Sequence, residues 1–360
     1  MEKIKIVHII GELGIGGAER LLLDLGRKID KNVFDFRVIT LGRGGRLIKD
    51  FEAAGLPVTV VPRNYMGDWH VVGRITAWLR EWQPDVVHTH LFGGDFWGIT
   101  AARRAKVPVI ISTKHDIISE GWLKNLLCRK KRAYCQRVVA ISQASKKFLI
   151  EHDHFDEKKI TVIYNGIDMS RFDAGEPTAF KNEQIVFGTI GRLEKVKNHE
   201  QLIRACRFLK RSNWHLNVIG DGSLRSKLEI LINKYGLAEN ISLLGFLADV
   251  REQLEGMDVF VLPSKSEGLS LSVIEAAAAG KFIIATNVGG VAEIITDEVT
   301  GKLFNPEDLE SLVRDMNWVF DHTDEARAMT VRLQESVRAK FDINQLIKEY
   351  ENLYHHLTKK

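Results

Sequence analysis

The sequence predicts an α/β protein made of two doubly wound, Rossmann-like domains. Three observations point there. Short β-branched apolar runs recur along the chain, nearly continuous rather than alternating, which is how strands covered on both faces of a parallel sheet read. Amphipathic segments of helical period separate them, and strand then helix, repeated, builds βαβ units. The runs number twelve, too many for one ordinary sheet, and a polar segment at 165–184 containing Gly, Asp and Pro divides them near the middle of the 360 residues.

In chain order, the expected strands of the first half are 4–10, 36–41, 58–61, 85–90, 108–113, 138–142 and 160–164. Those of the second half are 185–190, 215–219, 241–244, 259–263 and 282–286. Helical patterns stand at 17–29, 71–82, 199–209, 223–235 and 270–279, and the C-terminal stretch is helical throughout. The chain contains no repeat of short period and no low-complexity segment.

Composition narrows the class. Hydrophobic residues make up 45% and charged residues 27%, as in a soluble globular protein. No apolar stretch reaches the ~20 residues of a membrane span. The first ten residues, broken by Lys3 and Lys5, read as a strand rather than a signal peptide. Three cysteines, Cys128, Cys135 and Cys206, make neither a disulfide framework nor a zinc site, so the expected setting is the cytoplasm. Charge is uneven. Residues 1–165 carry 27 basic and 18 acidic side chains, a net of +9, within an overall +4. The first half is therefore expected to face something anionic. Without a nucleic-acid-binding pattern, a membrane surface is the better candidate.

Four stretches carry chemistry. After the first strand comes Gly11-Glu12-Leu13-Gly14-Ile15-Gly16-Gly17, where glycines allow close approach and the helix start offers free N–H groups to an anion. A tight turn packing helix on sheet would read the same way. The second half opens with Gly191-Arg192-Leu193-Glu194-Lys195-Val196-Lys197-Asn198, two cations past a strand end where ligands of open α/β sheets bind. A solvated basic loop is the alternative. In 264–280, Glu267 and Gly268 precede a helix of small apolar residues that contains Glu275, and a carboxylate there needs a hydrogen-bonding partner such as a ribose diol. Finally, His88 and His90 alternate on one strand and so share a face. With no third ligand visible, they read as packed or edge histidines rather than a metal site. His152-Asp153-His154 reads as a solvated turn.

The series G-R-L-x-x-x-K-N at 191–198, followed by E-G-x6-E at 267–275, closely resembles the retaining glycosyltransferases of family GT4, which have the GT-B fold. Gly220-Asp221-Gly222, Leu244-Gly245-Phe246, Val288-Gly289-Gly290, Thr300-Gly301, Gly16-Gly17-Ala18-Glu19, His88-Thr89-His90, His115-Asp116, Ser142-Gln143 and 165–168 also fall in family order. The resemblance implies a first, acceptor-binding domain at 1–168, onto which a C-terminal helix within 343–360 packs back, and a nucleotide-sugar-binding domain at 180–342.

The resemblance also implies roles. Arg192 and Lys197 would bind the donor diphosphate and stabilise it as it leaves. Glu275 would hold the ribose, and Glu267 with Gly268, Leu269 and Ser270 the transferred sugar. Gly16 and Gly17 would approach the phosphate, Phe246 would lie beside the base, and His115 near the reacting sugar. His90 and Asp116 stand as acceptor-side candidates. No D-x-D occurs, so the two cations are expected to replace a metal, and no cofactor is expected.

The expected activity is transfer of a sugar from a nucleotide-diphosphate donor to a saccharide or lipid-linked acceptor. The rivals are a GT-B nucleotide-sugar epimerase and an inactive nucleotide-sugar-binding module. Arg103, Arg104, Lys106, Lys124, Arg129 to Arg132, Arg137, Lys146 and Lys147, interleaved with Trp122, Leu123, Leu126 and Leu127, suggest a peripheral, inner-face membrane surface. An ordinary solvated helix with a buried apolar stripe would read the same way.

Overall fold

The computed structural model describes residues 2–14, 16–63, 67–117, 122–172 and 179–359, without the side chains of 122–125. The chain forms two compact units, Met1–Gly166 with Ile343–Lys360, and Ile167–Asp342.

The first unit is a parallel sheet of seven strands: β1 (Ile4–Ile10), β2 (Phe34–Leu41), β3 (Val58–Val61), β4 (Val86–His90), β5 (Val109–Lys114), β6 (Arg137–Ala140) and β7 (Ile160–Val162), in the order β3-β2-β1-β4-β5-β6-β7. Strand order reverses between β1 and β4, and ligands of such sheets bind beyond the carboxyl ends at that switch point. The β1–β4 register sets His8 against His88 and Ile10 against His90.

One face of this sheet, with Ile4, Ile6, Ile10 and Phe36, packs on helix Gly17–Lys28 and on the C-terminal helix Ile343–Thr358. The latter buries Ile343, Leu346, Ile347, Tyr350, Leu353 and Tyr354, a stripe of helical spacing. The other face, with Val7, Ile9 and Ile39, packs on helices His70–Trp82 and Ile99–Ala105. The helix leaving β4 widens into a π-helical turn at Gly94–Gly98. A Cβ on Gly94 would stand 2.3 Å from the Ile9 carbonyl oxygen, so glycine lets this turn lie directly on β1.

The second unit is a parallel sheet of six strands: β8 (Ile185–Ile190), β9 (Trp214–Ile219), β10 (Ile241–Gly245), β11 (Val259–Leu262), β12 (Phe282–Thr286) and β13 (Lys302–Phe304), in the order β10-β9-β8-β11-β12-β13. The same reversal falls between β8 and β11. The twelve expected strands are present, most with ends shifted by one or two residues. β13 is an addition: three residues beginning with a lysine do not read as a buried strand. Lys302 is nevertheless buried, because Glu298 pairs with its ammonium at 2.9 Å and the Trp318 ring lies beneath it.

Candidate active site

In the second unit the candidate residues collect on the carboxyl edge of the sheet. Arg192 sits in the turn after β8 and is exposed. A single 3₁₀ turn, Lys195–Lys197, follows, and Asn198 then enters helix His199–Cys206 in a left-handed conformation. The loop after β11 is tied to this turn by the Lys265 amide donating to the Val196 carbonyl at 2.8 Å. That tie brings Lys197 and Glu267 together: the Lys197 ammonium donates to Glu267 Oε1 at 2.6 Å. Glu267 is nearly buried, whereas Lys197 keeps some exposure.

Gly268, Leu269 and Ser270 continue from Glu267 into helix Leu271–Ala278, with Ser270 at its N-cap and Glu275 half-buried in its second turn. Phe246 follows the last residue of β10 and is exposed at 39%. At the strand ends, a Cβ on Gly220 would stand 1.9 Å from the Gly191 carbonyl oxygen, and its φ is +138°, so only glycine lets these two backbones meet. His199, next to Asn198, is buried with Nδ1 lacking a hydrogen-bond partner among the described residues. Burial, then the Lys197 charge, lowers its pKa to about 4.

In the first unit, Gly16 is the N-cap of helix Gly17–Lys28, and no side chain caps it. A Cβ there would meet only the flexible end of Glu19, which can move aside, so what the position offers is its open N–H groups. His90 ends β4 and His115 follows β5, and their rings meet, Nδ1 of His90 to Nε2 of His115 at 2.9 Å. His115 Nδ1 is buried without a hydrogen-bond partner among the described residues. Burial lowers the His115 pKa to about 4, although Asp116 and Asp95 pull the other way. Asp116 pairs with the Lys114 ammonium at 2.8 Å. Together with Leu91, Phe92, Thr113, Cys128 and Arg132, the residues Lys114, His115 and Asp116 line a pocket wholly within the first unit. Leu91 holds φ = +60°, a conformation unusual for a branched, bulky residue and often met at ligand sites.

With the geometry in hand, the family can be read. Residues 15–171 match the family model described as Glycosyltransferase Family 4, and 171–335 match that for Glycosyl transferases group 1. The chain belongs to the GT4-type glycosyltransferases. An Escherichia coli relative, UDP-Gal:alpha-D-GlcNAc-diphosphoundecaprenol alpha-1,3-galactosyltransferase, is 26% identical, the match covering 98% of this chain and 97% of that one. The putative glycosyltransferase EpsF of Bacillus subtilis is 27% identical over 83% of this chain and 80% of its own. Among solved structures, Anabaena HepE in complex with UDP-glucose superposes with a TM-score of 0.87 at 22% identity, covering 97% of this chain and 99% of that one, which establishes the GT-B fold.

For this glycosyltransferase three sequence expectations need correction. His88 and His90 do have a third imidazole beside them: β1 lies in register with β4, so His8 joins the pair, its Nδ1 2.8 Å from His90 Nε2. Arg132 is not a surface cation. It is buried against Asp95 at 2.7 Å and Asp153 at 3.3 Å, and Asp95 also accepts from Thr89 and Ser112. Burial disfavours its charge, but the carboxylates, Asp95 foremost, outweigh that and hold its pKa above the ordinary value. Asp153 is accordingly no solvated turn. Lys131 is also engaged, donating to Thr100 Oγ1 at 2.7 Å. Of the basic run, Arg129 and Lys130 remain exposed, with Arg103, Arg104 and Lys106 from the neighbouring helix and turn. The side chains of Trp122, Leu123 and Lys124 lie outside the described residues.

The residues missed by sequence are His8, Leu91, Asp95 and Lys114. Asp95 had a signal, a lone carboxylate among Phe92, Phe96 and Trp97.

Proposed function

We propose that this glycosyltransferase moves a sugar from a nucleoside-diphosphate donor to a hydroxyl of a lipid-linked saccharide, with retention of configuration. The observation that carries the donor assignment is the Lys197–Glu267 pair, 2.6 Å apart at the switch-point edge of a Rossmann sheet. An ammonium has three donors. One goes to Glu267, which leaves others for diphosphate oxygens, with Arg192 adding a second cation. Glu267 and the chain from Gly268 to Ser270 then hold the sugar, Glu275 the ribose, Phe246 the base, and the Gly16-Gly17 turn the phosphate. His115 borders the sugar, with His90 and Asp116 on the acceptor side. In the reaction the bond from sugar C1 to the β-phosphate oxygen breaks and that from C1 to the acceptor oxygen forms on the same face. The departing phosphate oxygen takes the acceptor's proton. Stabilising that leaving diphosphate is the main electrostatic task.

The acceptor reading is supported by the E. coli relative's name and by that of a Campylobacter jejuni relative, N-acetylgalactosamine-N,N'-diacetylbacillosaminyl-diphospho-undecaprenol 4-alpha-N-acetylgalactosaminyltransferase, 29% identical over 51% of this chain. Among the described residues no helix is long and apolar enough to cross a membrane. The exposed set Arg103, Arg104, Lys106, Arg129 and Lys130 would hold an anionic membrane face, at roughly 1 kcal/mol per cation. Two fixed cations take the place of a metal.

The test is release of nucleoside diphosphate from UDP-sugars, with and without a diphosphoundecaprenol-linked saccharide, in EDTA. Acceptor-dependent release is the expected result. No release from any donor would sink the activity. Release only after Mg²⁺ or Mn²⁺ is restored would sink the metal-free reading, and equal release with a soluble saccharide would sink the lipid acceptor.

A further inference from the structure

A line of imidazoles crosses the switch point of the first sheet on the face covered by the C-terminal helix. His115 Nε2 lies 2.9 Å from His90 Nδ1, and His90 Nε2 lies 2.8 Å from His8 Nδ1. His8 Nε2 is 3.4 Å from the Tyr354 hydroxyl, which is 2.8 Å from His88 Nδ1. His88 Nε2 ends the line 2.7 Å from Thr113 Oγ1. His8, His88 and Tyr354 are wholly buried, and His90 nearly so. Every ring nitrogen along the line has a partner except Nδ1 of His115, which is buried with none among the described residues, and the His115 residue lines the pocket shared with Lys114, Asp116 and Arg132.

Burial, and then the neighbouring rings, press the pKa of His8, His88 and His90 well below 6.5, so these rings are neutral at pH 7. A neutral imidazole has one N–H and one lone pair. A chain of them therefore has a direction. If His115 Nε2 donates to His90, then His90 must donate to His8, His8 to Tyr354, Tyr354 to His88, and His88 to Thr113. Tyr354 could instead accept from both His8 and His88, but its own O–H would then be left unmade, so the only other arrangement that satisfies every group reverses every bond. A ring out of step would set two N–H groups or two lone pairs face to face in a dry interior, where an unmade hydrogen bond is costly.

We propose that His8, His90 and Tyr354 are positioning residues, forming one directional hydrogen-bond chain that fixes whether His115 turns an N–H or a lone pair of Nδ1 toward the transferred sugar. The role at the sugar rests on the placement of His115 proposed above, while the chain itself does not. A metal held by His8, His88 and His90 fits less well. Although their ligand atoms lie within 4.8 Å of one another, the 2.8 Å between His8 and His90 is a hydrogen-bond length. It is shorter than the roughly 3.3 Å between two nitrogens bound to tetrahedral zinc.

The experiment is ¹⁵N NMR of the histidine rings in the full chain at pH 7, with transfer kinetics, for the wild type, Tyr354→Phe and Tyr350→Phe. Both substitutions remove a buried hydroxyl from the same helix and keep the ring, but the Tyr350 hydroxyl touches only the chain's end, at 3.4 Å from Thr113. In the wild type each of the four rings should hold a single tautomer. Tyr354→Phe should give His115 a mixture of tautomers and lower kcat about two- to tenfold with donor KM little changed, and Tyr350→Phe should do neither. An unchanged His115 tautomer in Tyr354→Phe overturns the proposal, even if activity falls. Mixed tautomers in the wild type also overturn it, and this readout needs no variant to fold. So does stoichiometric Zn²⁺ binding that shifts the His8, His88 and His90 nitrogens together. A changed tautomer with unchanged transfer upholds the chain and removes His115 from the sugar, which is a failure of the earlier assignment alone.

Discussion

At the carboxyl edge of the first sheet stand imidazoles and a buried guanidinium. At the same place in the same strand order of the second stand a lysine, an arginine and a carboxylate within reach of water. Arg132 satisfies two aspartates in the interior, and the histidines near it are neutral. Lys197, by contrast, keeps some exposure, and Arg192 is exposed. The difference teaches what burial demands. A charge removed from water must be fully paired within the protein, whereas one that is to meet a diphosphate is better left solvated until the ligand arrives.

Acid offers the strongest way to break this contrast. His8, His88 and His90 are pressed well below 6.5 and His115 to about 4, so the folded chain protonates them less readily than the unfolded chain does. The unfolded state then binds more protons, and stability falls as pH drops from about 6.5 toward 4. At ~1.4 kcal/mol per ring per pH unit, the first unit should lose up to about 5 kcal/mol by pH 5.5. The second unit, where burial bears on His199 and His215, should lose less. Hydrogen exchange resolved by unit across pH 7 to 5 reads this directly, and equal losses in both units would erase the distinction.

The next largest effect is expected from Arg132→Met. Removing one partner of a buried ionic set costs about 3–5 kcal/mol, because Asp95 is stranded. The double change Arg129→Gln, Lys130→Gln should stay within ~0.5 kcal/mol. Chemical denaturation of both proteins tests the pair. If Arg132→Met unfolds like the wild type, the network is not structural.

The smallest change in folding, and the clearest in activity, belongs to the second unit. Arg192→Ala and Lys197→Ala should each reduce turnover about tenfold or more, since a charge-assisted contact contributes ~1.5–3 kcal/mol. Thermal unfolding of Arg192→Ala should match the wild type, whereas Lys197→Ala, which strands the nearly buried Glu267 carboxylate, should unfold slightly earlier. Glu267→Ala should impair transfer while free nucleoside diphosphate binds at least as tightly as before, because Lys197 no longer shares its protons with a carboxylate. Glu275→Ala should weaken that same free nucleotide. Titration calorimetry separates them: equal weakening in both variants would mean that Glu267 serves the nucleotide and not the sugar.

Much of this was legible in the sequence. Continuous β-branched runs marked twelve strands, and the period of two put His88 and His90 on one face. Their partner His8 was hidden only by distance along the chain, since the doubly wound order sets the first strand beside the fourth, and a comparison of strand ends would have brought it into register. Arg132 was misread because a run of four cations looks like a solvated face. The helical spacing of four from Cys128, which is buried, was the available clue. The Lys197–Glu267 contact joins loops 70 residues apart, and no local pattern encodes such a meeting.

The helix Ile343–Thr358 has a consequence for the order of events during synthesis. It places Tyr350 and Tyr354 in the core of the first unit, yet it is translated after the whole second unit. Folding on the ribosome usually proceeds from the N-terminus, domain by domain. Here Ile167–Asp342 has all its strands and helices before the first unit has its last one. The segment made first therefore waits with one sheet face only partly covered, by helix Gly17–Lys28, and with His8 and His88 lacking their tyrosine partner, and the segment made second is the first that can close.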